Sequence, residues 1–532
     1  MLSNRLGALT PDMLRGIGRG IEKESLRVRP DGALSDRPHP ASLGATLTHP
    51  HITTDFSESQ PELITGVHED IGACLEQLTE IHQVVYRNIG DELLWCTSMP
   101  CGLPDDDAIP IGQYGSSNVG TAKTVYRQGL AHRYGRRMQT ISGIHYNFSL
   151  PDQAWPALQR ADGRNGPAQD FQTDSYFALI RNFRRHSWLL LYLFGASPAV
   201  CGSFVEDRLH GLEMLKPGVM YLPYATSLRM GPLGYQSDAQ ASLAVSYNSL
   251  EIYARSLFDA LTKPYPAYDK IGIRKGEEYC QLSTSLLQIE NEFYGTIRPK
   301  RRINPGERPL HALGERGVEY VEVRAMDLNP FCQIGITADT IRFLDIFLLH
   351  CLLCDSPPDS PEELTSMHRN QHLVAERGRD PSLKLAYHGE MMSPSEWGAR
   401  LLRECEPIAD ALDKANQVNA YGDALSDAAE ALDNPRSTPS ARTLHEMSLH
   451  YDDSFVDFAM AQSKRHREAL LALPLSKEVA EKFARMAQES LAAQREIEAA
   501  DSMPFETYRQ QYIGQKLFAG DKSRSLQKVG GA

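Results

Sequence analysis

From Gly317 to Met326 the chain reads G-V-E-Y-V-E-V-R-A-M, an alternation with a period of two. Successive side chains of a strand point to opposite faces, so Val321, Val323 and Ala325 share one side while Glu322 and Arg324 share the other. Gln139 to Leu150 repeats the pattern more cleanly. There Ile144, Tyr146, Phe148 and Leu150 make an apolar face, and His145, Asn147 and Ser149 make a polar one. A sheet built from such segments needs a hydrophobic layer behind it and presents an acid, a base and a histidine in front. One strand with charge on one face is usually just solvated, so further strands of the same kind are needed before the front reads as a site.

They are present. Between Ile17 and Val28, Glu22 and Glu24 lie two apart, so in an extended strand both carboxylates project from one face and can grip a cation. In Ile52 to Thr65, Asp55 and Glu62 are candidates for the same cluster, Glu58 is read as solvated, and Pro61 implies a break between two extended pieces. Leu286 to Arg302 is strand-like, with Glu290, Glu292 and Tyr294 on one parity. Arg298, Lys300, Arg301 and Arg302 concentrate positive charge at its end, and in an acidic chain such a run is a candidate for nucleotide phosphates. Arg229, the single base between Tyr221 and Tyr235, suits bidentate recognition of a carboxylate. Tyr126 and Arg127 lie in a glycine-containing stretch that reads as a loop over a polar ligand.

The rest of the chain supplies scaffold. Ile71 to Leu94 carries apolar residues at helical spacing, and a second helical stretch runs from Phe171 to Leu193. The most apolar run, Trp188 to Phe204, is too short for a membrane span and reads as a buried helix ending near Gly195. No apolar leader with a cleavage site stands at the start, which points to the cytoplasm. With 532 residues the chain exceeds one ordinary core, and we expect a catalytic domain over 1–355 and a mainly helical region over 356–532, with the chemistry in the first part and a loose tail after Gln515. The formal charge of −13 argues against a nucleic-acid groove or an anionic membrane as the main partner. Nine cysteines in a chain of this type are expected as free thiols, with the Cys351-x-x-Cys354 pair packed in the core.

No G-x-S-x-G, H-E-x-x-H or P-loop signature occurs, which removes the commonest serine hydrolase, zincin and P-loop readings. Acids on strands, one histidine and several arginines describe magnesium and ATP chemistry better than zinc hydrolysis, because magnesium prefers oxygen ligands and substrate phosphates.

Six stretches, in order, carry a resemblance: G-I-E-K-E-S-L-R-V (20–28), I-T-T-D-F-S-E (52–58), Q-T-I-S-G-I-H-Y-N-F-S-L-P (139–151), P-Y-A-T-S-L-R (223–229), Q-I-E-N-E-F-Y-G-T-I-R-P-K-R (288–301) and V-E-Y-V-E-V-R (318–324). Together they resemble the proteobacterial glutamate–cysteine ligases. The resemblance implies an α+β, glutamine-synthetase-like fold, with a curved, mainly antiparallel sheet, helices on its convex face and a helical C-terminal region. It implies ATP-dependent activation of the glutamate γ-carboxylate as γ-glutamyl phosphate and its capture by the α-amine of cysteine, the first step of glutathione synthesis. Two or three magnesium ions, or manganese in their place, would be held by Glu22, Glu24, Asp55, Glu62, His145 and Glu322. Arg324 would contact the transferred phosphoryl group, and Arg298, Lys300 and Arg301 would face the nucleotide. Phe56, Tyr126, Leu130, Tyr235 and Tyr294 would form the cysteine pocket, with Arg127 and Arg229 on substrate carboxylates. A ligase of the same superfamily using another amine, and a catalytically silent nucleotide-binding relative, are the alternatives. The oligomeric state is left open, with a monomer as one outcome.

Overall fold

In this computed structural model, residues 1–514 are described apart from 207, 235–237, 242, 244 and 305 and the side chains of 238 and 241. Tyr235 and the tail after Gln515 therefore lie outside the described residues. Six strands form the central sheet: β1 Gly18–Glu24, β2 Ile52–Thr54, β3 Pro61–Ile64, β4 Ile144–Ser149, β5 Ile297–Lys300 and β6 Tyr320–Met326. Their order is β5-β6-β4-β1-β3-β2, and every pairing is antiparallel.

The register follows the alternation in the sequence. Glu22 stands opposite His145, Glu24 opposite Glu62, and Glu322 opposite both Asn147 and Arg298. Directly opposed residues share a face, so these groups collect on one side of the sheet. On the other side Ile21 meets Tyr146, Val321 meets Phe148 and Val323 meets both Tyr146 and Ile297. Among the helices are α1 Ile71–Asn88, α2 Asn118–Tyr134, α3 Ala168–His186, α4 Ala338–Leu353, α5 Pro394–Asn416, α6 Ala420–Asp433, α7 Phe455–Ala472 and α8 Lys477–Ala500; the apolar face packs into one core with all of these but α2, whose Leu130 joins a second cluster together with Phe455 and Phe458 of α7. Two charges enter the apolar side. Arg19 is neutralised there by Asp345 of α4, and Lys23 binds Ser25 Oγ and His82 Nε2 of α1.

Several expectations change. Residues 118–134 form the helix α2, capped by the Ser117 hydroxyl accepting from Gly120 N, where the glycines suggested a loop. Of 286–302 only Ile297–Lys300 is strand, and Glu290–Glu292 is a short 3-10 turn, so parity does not govern Glu290, Glu292 and Tyr294. Glu58 is buried, because its two oxygens accept from the amides of His39 and Gln113 in adjoining loops. Cys101 and Cys201 form a disulfide across a separation of 100 residues, which no local pattern reveals; Cys351 and Cys354 are free thiols. The apolar run does end as a helix at Trp188–Phe194, before Gly195, and among the described residues no helix is long and apolar enough to cross a membrane. One hydrophobic core contains residues from both sides of position 355, including Phe347 and Leu353 before it and Trp397 and Leu412 after it.

Candidate active site

The polar face concentrates its charge around His145. The imidazole Nδ1 lies 3.2 Å from Glu22 Oε2 and 4.0 Å from Glu322 Oε1, and Nε2 lies 3.6 Å from Glu24 Oε1. Glu62 closes the group: one ligand atom each from Glu22, Glu62 and His145 falls within 4.8 Å of the others. Its placement comes from the tight return of β2 into β3, in which Asp55 N donates to Gln60 O and Pro61 begins the strand instead of interrupting it. Asp55 sits at this bend. Its carbonyl accepts from Tyr114 Oη at 3.0 Å and from Arg127 Nε, and the Arg127 guanidinium lies 4.4 Å over the Tyr114 ring.

Four acids with one histidine on a buried face repel one another. Burial and the neighbouring Asp55 push the Glu24 carboxyl up to about 8, and burial together with Glu22, Asp55 and Glu24 raises Glu62 well above the usual range. Glu322 moves the other way: burial is outweighed by Lys300, Arg324 and His145, which hold it well below the usual range. The set is rich in hard oxygen donors and short of positive charge at the Glu24–Glu62 end. Divalent magnesium fits it, since a dication removes the repulsion that protons otherwise relieve.

The basic rim comes from β5 and β6. Lys300 Nζ is 3.1 Å from Glu322 Oε1, and Arg324 Nη1 is 3.2 Å from Glu322 Oε2. A bulge between Val323 and Met326 shifts the β6 register at Arg324, whose amide bonds Thr296 O, and such bulges re-aim a side chain beside a site. Arg298 stands 4.0 Å from Glu322 but spends its guanidinium on the carbonyls of Asn291 and Phe293. Arg301 lies one residue past the strand and pairs with Glu319 at 3.6 Å, apart from Lys300 and Arg298 at Glu322. Arg229 is almost wholly buried, donating to Arg324 O at 2.9 Å and lying 3.7 Å from Asp327, so it buttresses the strand that carries Arg324.

Phe56, Leu130, Tyr126 and Tyr294 belong to one apolar cluster on the α2 side of the carboxylates. Arg229, Tyr294 and Arg324 also line a cleft of about 600 Å3 whose far wall is His368 and Gln371 from the helix Pro361–Arg377. The region after 355 thus borders this cleft; helical periodicity in sequence does not say which face of a helix does so. Sequence reasoning also missed Tyr114, which holds the Asp55 bend, and Glu24's bond from the Gly143 amide at 2.9 Å. Asn147 had a signal, its parity with His145, and its side chain donates to Glu22 Oε1 at 3.0 Å.

This arrangement has the donors to hold a polyphosphate and its cations. The family model described as glutamate-cysteine ligase matches residues 6–374. Proteins named glutamate–cysteine ligase are similar across nearly the whole chain. The one from Alcanivorax borkumensis is 48% identical over 505 residues, covering 94% of this chain and 96% of its own, and the one from Pseudomonas putida is 48% identical over 503 residues, covering 94% and 95%. The crystal structure of the Francisella tularensis glutamate–cysteine ligase in complex with AMP superposes with a TM-score of 0.88 at 35% identity, covering 94% of this chain and 98% of that one. With that family match over most of its length, the chain belongs to the glutamate–cysteine ligases.

Proposed function

We propose that this chain joins the γ-carboxylate of L-glutamate to the α-amine of L-cysteine at the expense of ATP, and that Glu22, Glu24, Asp55, Glu62, His145 and Glu322 hold two or three magnesium ions for it. The observation that carries the reading is the shared face on which Glu22, Glu62 and His145 converge while Lys300 and Arg324 flank Glu322. The cations would supply charge neutralisation between the ATP phosphates and the glutamate carboxylate, which otherwise repel.

The side chains account for the remaining needs of the reaction. Glutamate attacks the γ-phosphorus, ADP leaves, and the amine then displaces phosphate from the acyl phosphate. Arg324, on the face it shares with Glu322 and already ion-paired to it, is the donor for the phosphoryl oxygens as charge develops on them. Lys300 stands at the same carboxylate; burial opposes its charge, but Glu322 and Glu22 outweigh that and keep the amine protonated. Arg229, from the wall of the cleft it shares with Tyr294 and Arg324, and Arg127, beside the Asp55 bend, would hold substrate carboxylates. The apolar wall of Phe56, Tyr126, Leu130 and Tyr294 suits a small thiol side chain and keeps water from the acyl phosphate. We place the reaction in the cytoplasm, where ATP and glutamate are supplied.

The test is direct. Purified protein with ATP, magnesium, glutamate and cysteine should yield γ-glutamylcysteine and ADP, with cysteine faster than other small amines. Glutamate-dependent ADP release that is fastest with a different amine would reassign the acceptor, and no product at saturating substrate would refute the activity.

A further inference from the structure

Two of the acceptor-pocket residues, Tyr126 and Leu130, lie on α2, and a third, Tyr294, lies just after the turn Glu290–Glu292. Among the described residues no strand pairing fixes the distance between these two walls. Side-chain bonds do: Arg133 of α2 donates to Gln281 Oε1, Ser283 O and Leu286 O, and the Glu292 carboxylate gathers the rest. Glu292 Oε1 accepts from Arg133 Nη1 and from Tyr134 Oη, both at 2.8 Å and both from the last turn of α2, while Oε2 accepts from Gln288 N at 2.7 Å. The Arg133 and Glu292 side chains are wholly excluded from solvent.

Secondary ties run from this pair to the pocket itself. Gln240 Nε2 donates to Glu292 O at 2.9 Å, and Gln240 Oε1 accepts from Tyr294 N at 3.1 Å. Gln288 Nε2 donates to Tyr126 O at 3.2 Å across a helix face left open by Gly129, where a Cβ would stand 2.2 Å from the Gln288 amide oxygen. Tyr134 and Tyr294 pack edge to face with centroids 5.7 Å apart.

We infer that the buried Arg133–Glu292 pair is a positioning brace that sets the spacing of Tyr126 and Tyr294, and through it the enzyme's selectivity for a small thiol-bearing amine. Glu292 is consequently not a cation ligand; both of its oxygens are occupied by the brace. The inference rests on placing the amine between α2 and Tyr294, as in the proposed function. A charge removed from a buried pair leaves its partner uncompensated, so the local geometry, not the distant phosphate end, should yield first.

Glu292→Gln, checked for folding by circular dichroism and thermal melting, should raise the KM for cysteine about tenfold and reduce the preference for cysteine over 2-aminobutyrate, with the KM values for ATP and glutamate within about twofold. Gly129→Ala, whose Cβ displaces the buried Gln288 amide from Tyr126 O and Leu282 N, should move both acceptor readouts in the same direction by about threefold, and it decides the matter if Glu292→Gln does not fold. Unchanged acceptor KM and preference in a folded variant, or an equal loss of kcat for every amine at constant KM, overturns the brace. Tyr294→Phe separates the two layers. If it too leaves the acceptor readouts unchanged, the amine is not beside Tyr294 and the placement fails; if it shifts them while the other two variants do not, the brace alone fails.

Discussion

Arg19 and Asp345 offer the sharpest test of how the sheet that carries Glu22 and Glu24 is held. The pair lies on the apolar side of β1, with side chains 2% and 0% exposed, Arg19 Nε 2.8 Å and Nη2 2.7 Å from Asp345 Oδ2. Tyr146 Oη donates to the other oxygen at 2.6 Å, and the rest of the guanidinium goes to Ile17 O, Glu69 O and Tyr421 Oη. All of those other partners are neutral, so Asp345→Asn leaves a buried cation without its counter-charge. Such a loss costs about 3–5 kcal/mol, or roughly 10²- to 10⁴-fold in the unfolding equilibrium. Urea unfolding of wild type and variant measures it. Because the cost arises from an uncompensated charge and not from lost packing, Arg19→Met with Tyr146→Phe and Asp345→Leu should recover most of the deficit. A single-variant cost below about 1 kcal/mol, or a triple variant no more stable than Asp345→Asn, would refute the reasoning.

Three further outcomes are expected. Arg324→Gln should depress kcat by about 10²- to 10³-fold while the KM for ATP changes little, since the group acts on charge that develops during phosphoryl transfer; a raised ATP KM at normal kcat would reassign it to ground-state binding. Chelation of divalent cations should abolish ligation, and Glu62→Gln should raise the magnesium concentration for half-maximal rate by tenfold or more, with an unchanged requirement placing Glu62 outside the cation set. The His49 ring, whose Nδ1 accepts from the amides of His51 and Ile52, is pulled down to about 4 by burial and then by His51. Its depressed pKa gives stability that is full above about pH 6.5 and lost as pH falls through about 4, worth about 3 kcal/mol at ~1.4 per pH unit and nearer 1–2 after solvent screening. His49→Asn should therefore show a shallower stability loss over that window in urea titrations, and parallel pH curves would contradict it.

Local periodicity determined a great deal here. The two-residue alternation at 144–149 and 320–326 and the spacing of Glu22 and Glu24 fixed which groups share a face, because the pleat allows no other choice once the strands form. Pairing, register and chain reversal were beyond it. Glu24 meets Glu62 only because the chain reverses around Asp55 to Gln60, and Lys300 reaches Glu322 only because β5 pairs with β6. Groups whose role depends on a distant partner gave no local signal at all: Arg133 with Glu292, Cys101 with Cys201, and the helix Pro361–Arg377 on the far wall of the cleft. The sequence alone thus decides which side chains can stand together on one strand, since that is a matter of covalent geometry. The tertiary structure decides which strands and helices become neighbours, since that depends on how the apolar faces of the whole chain find a common core.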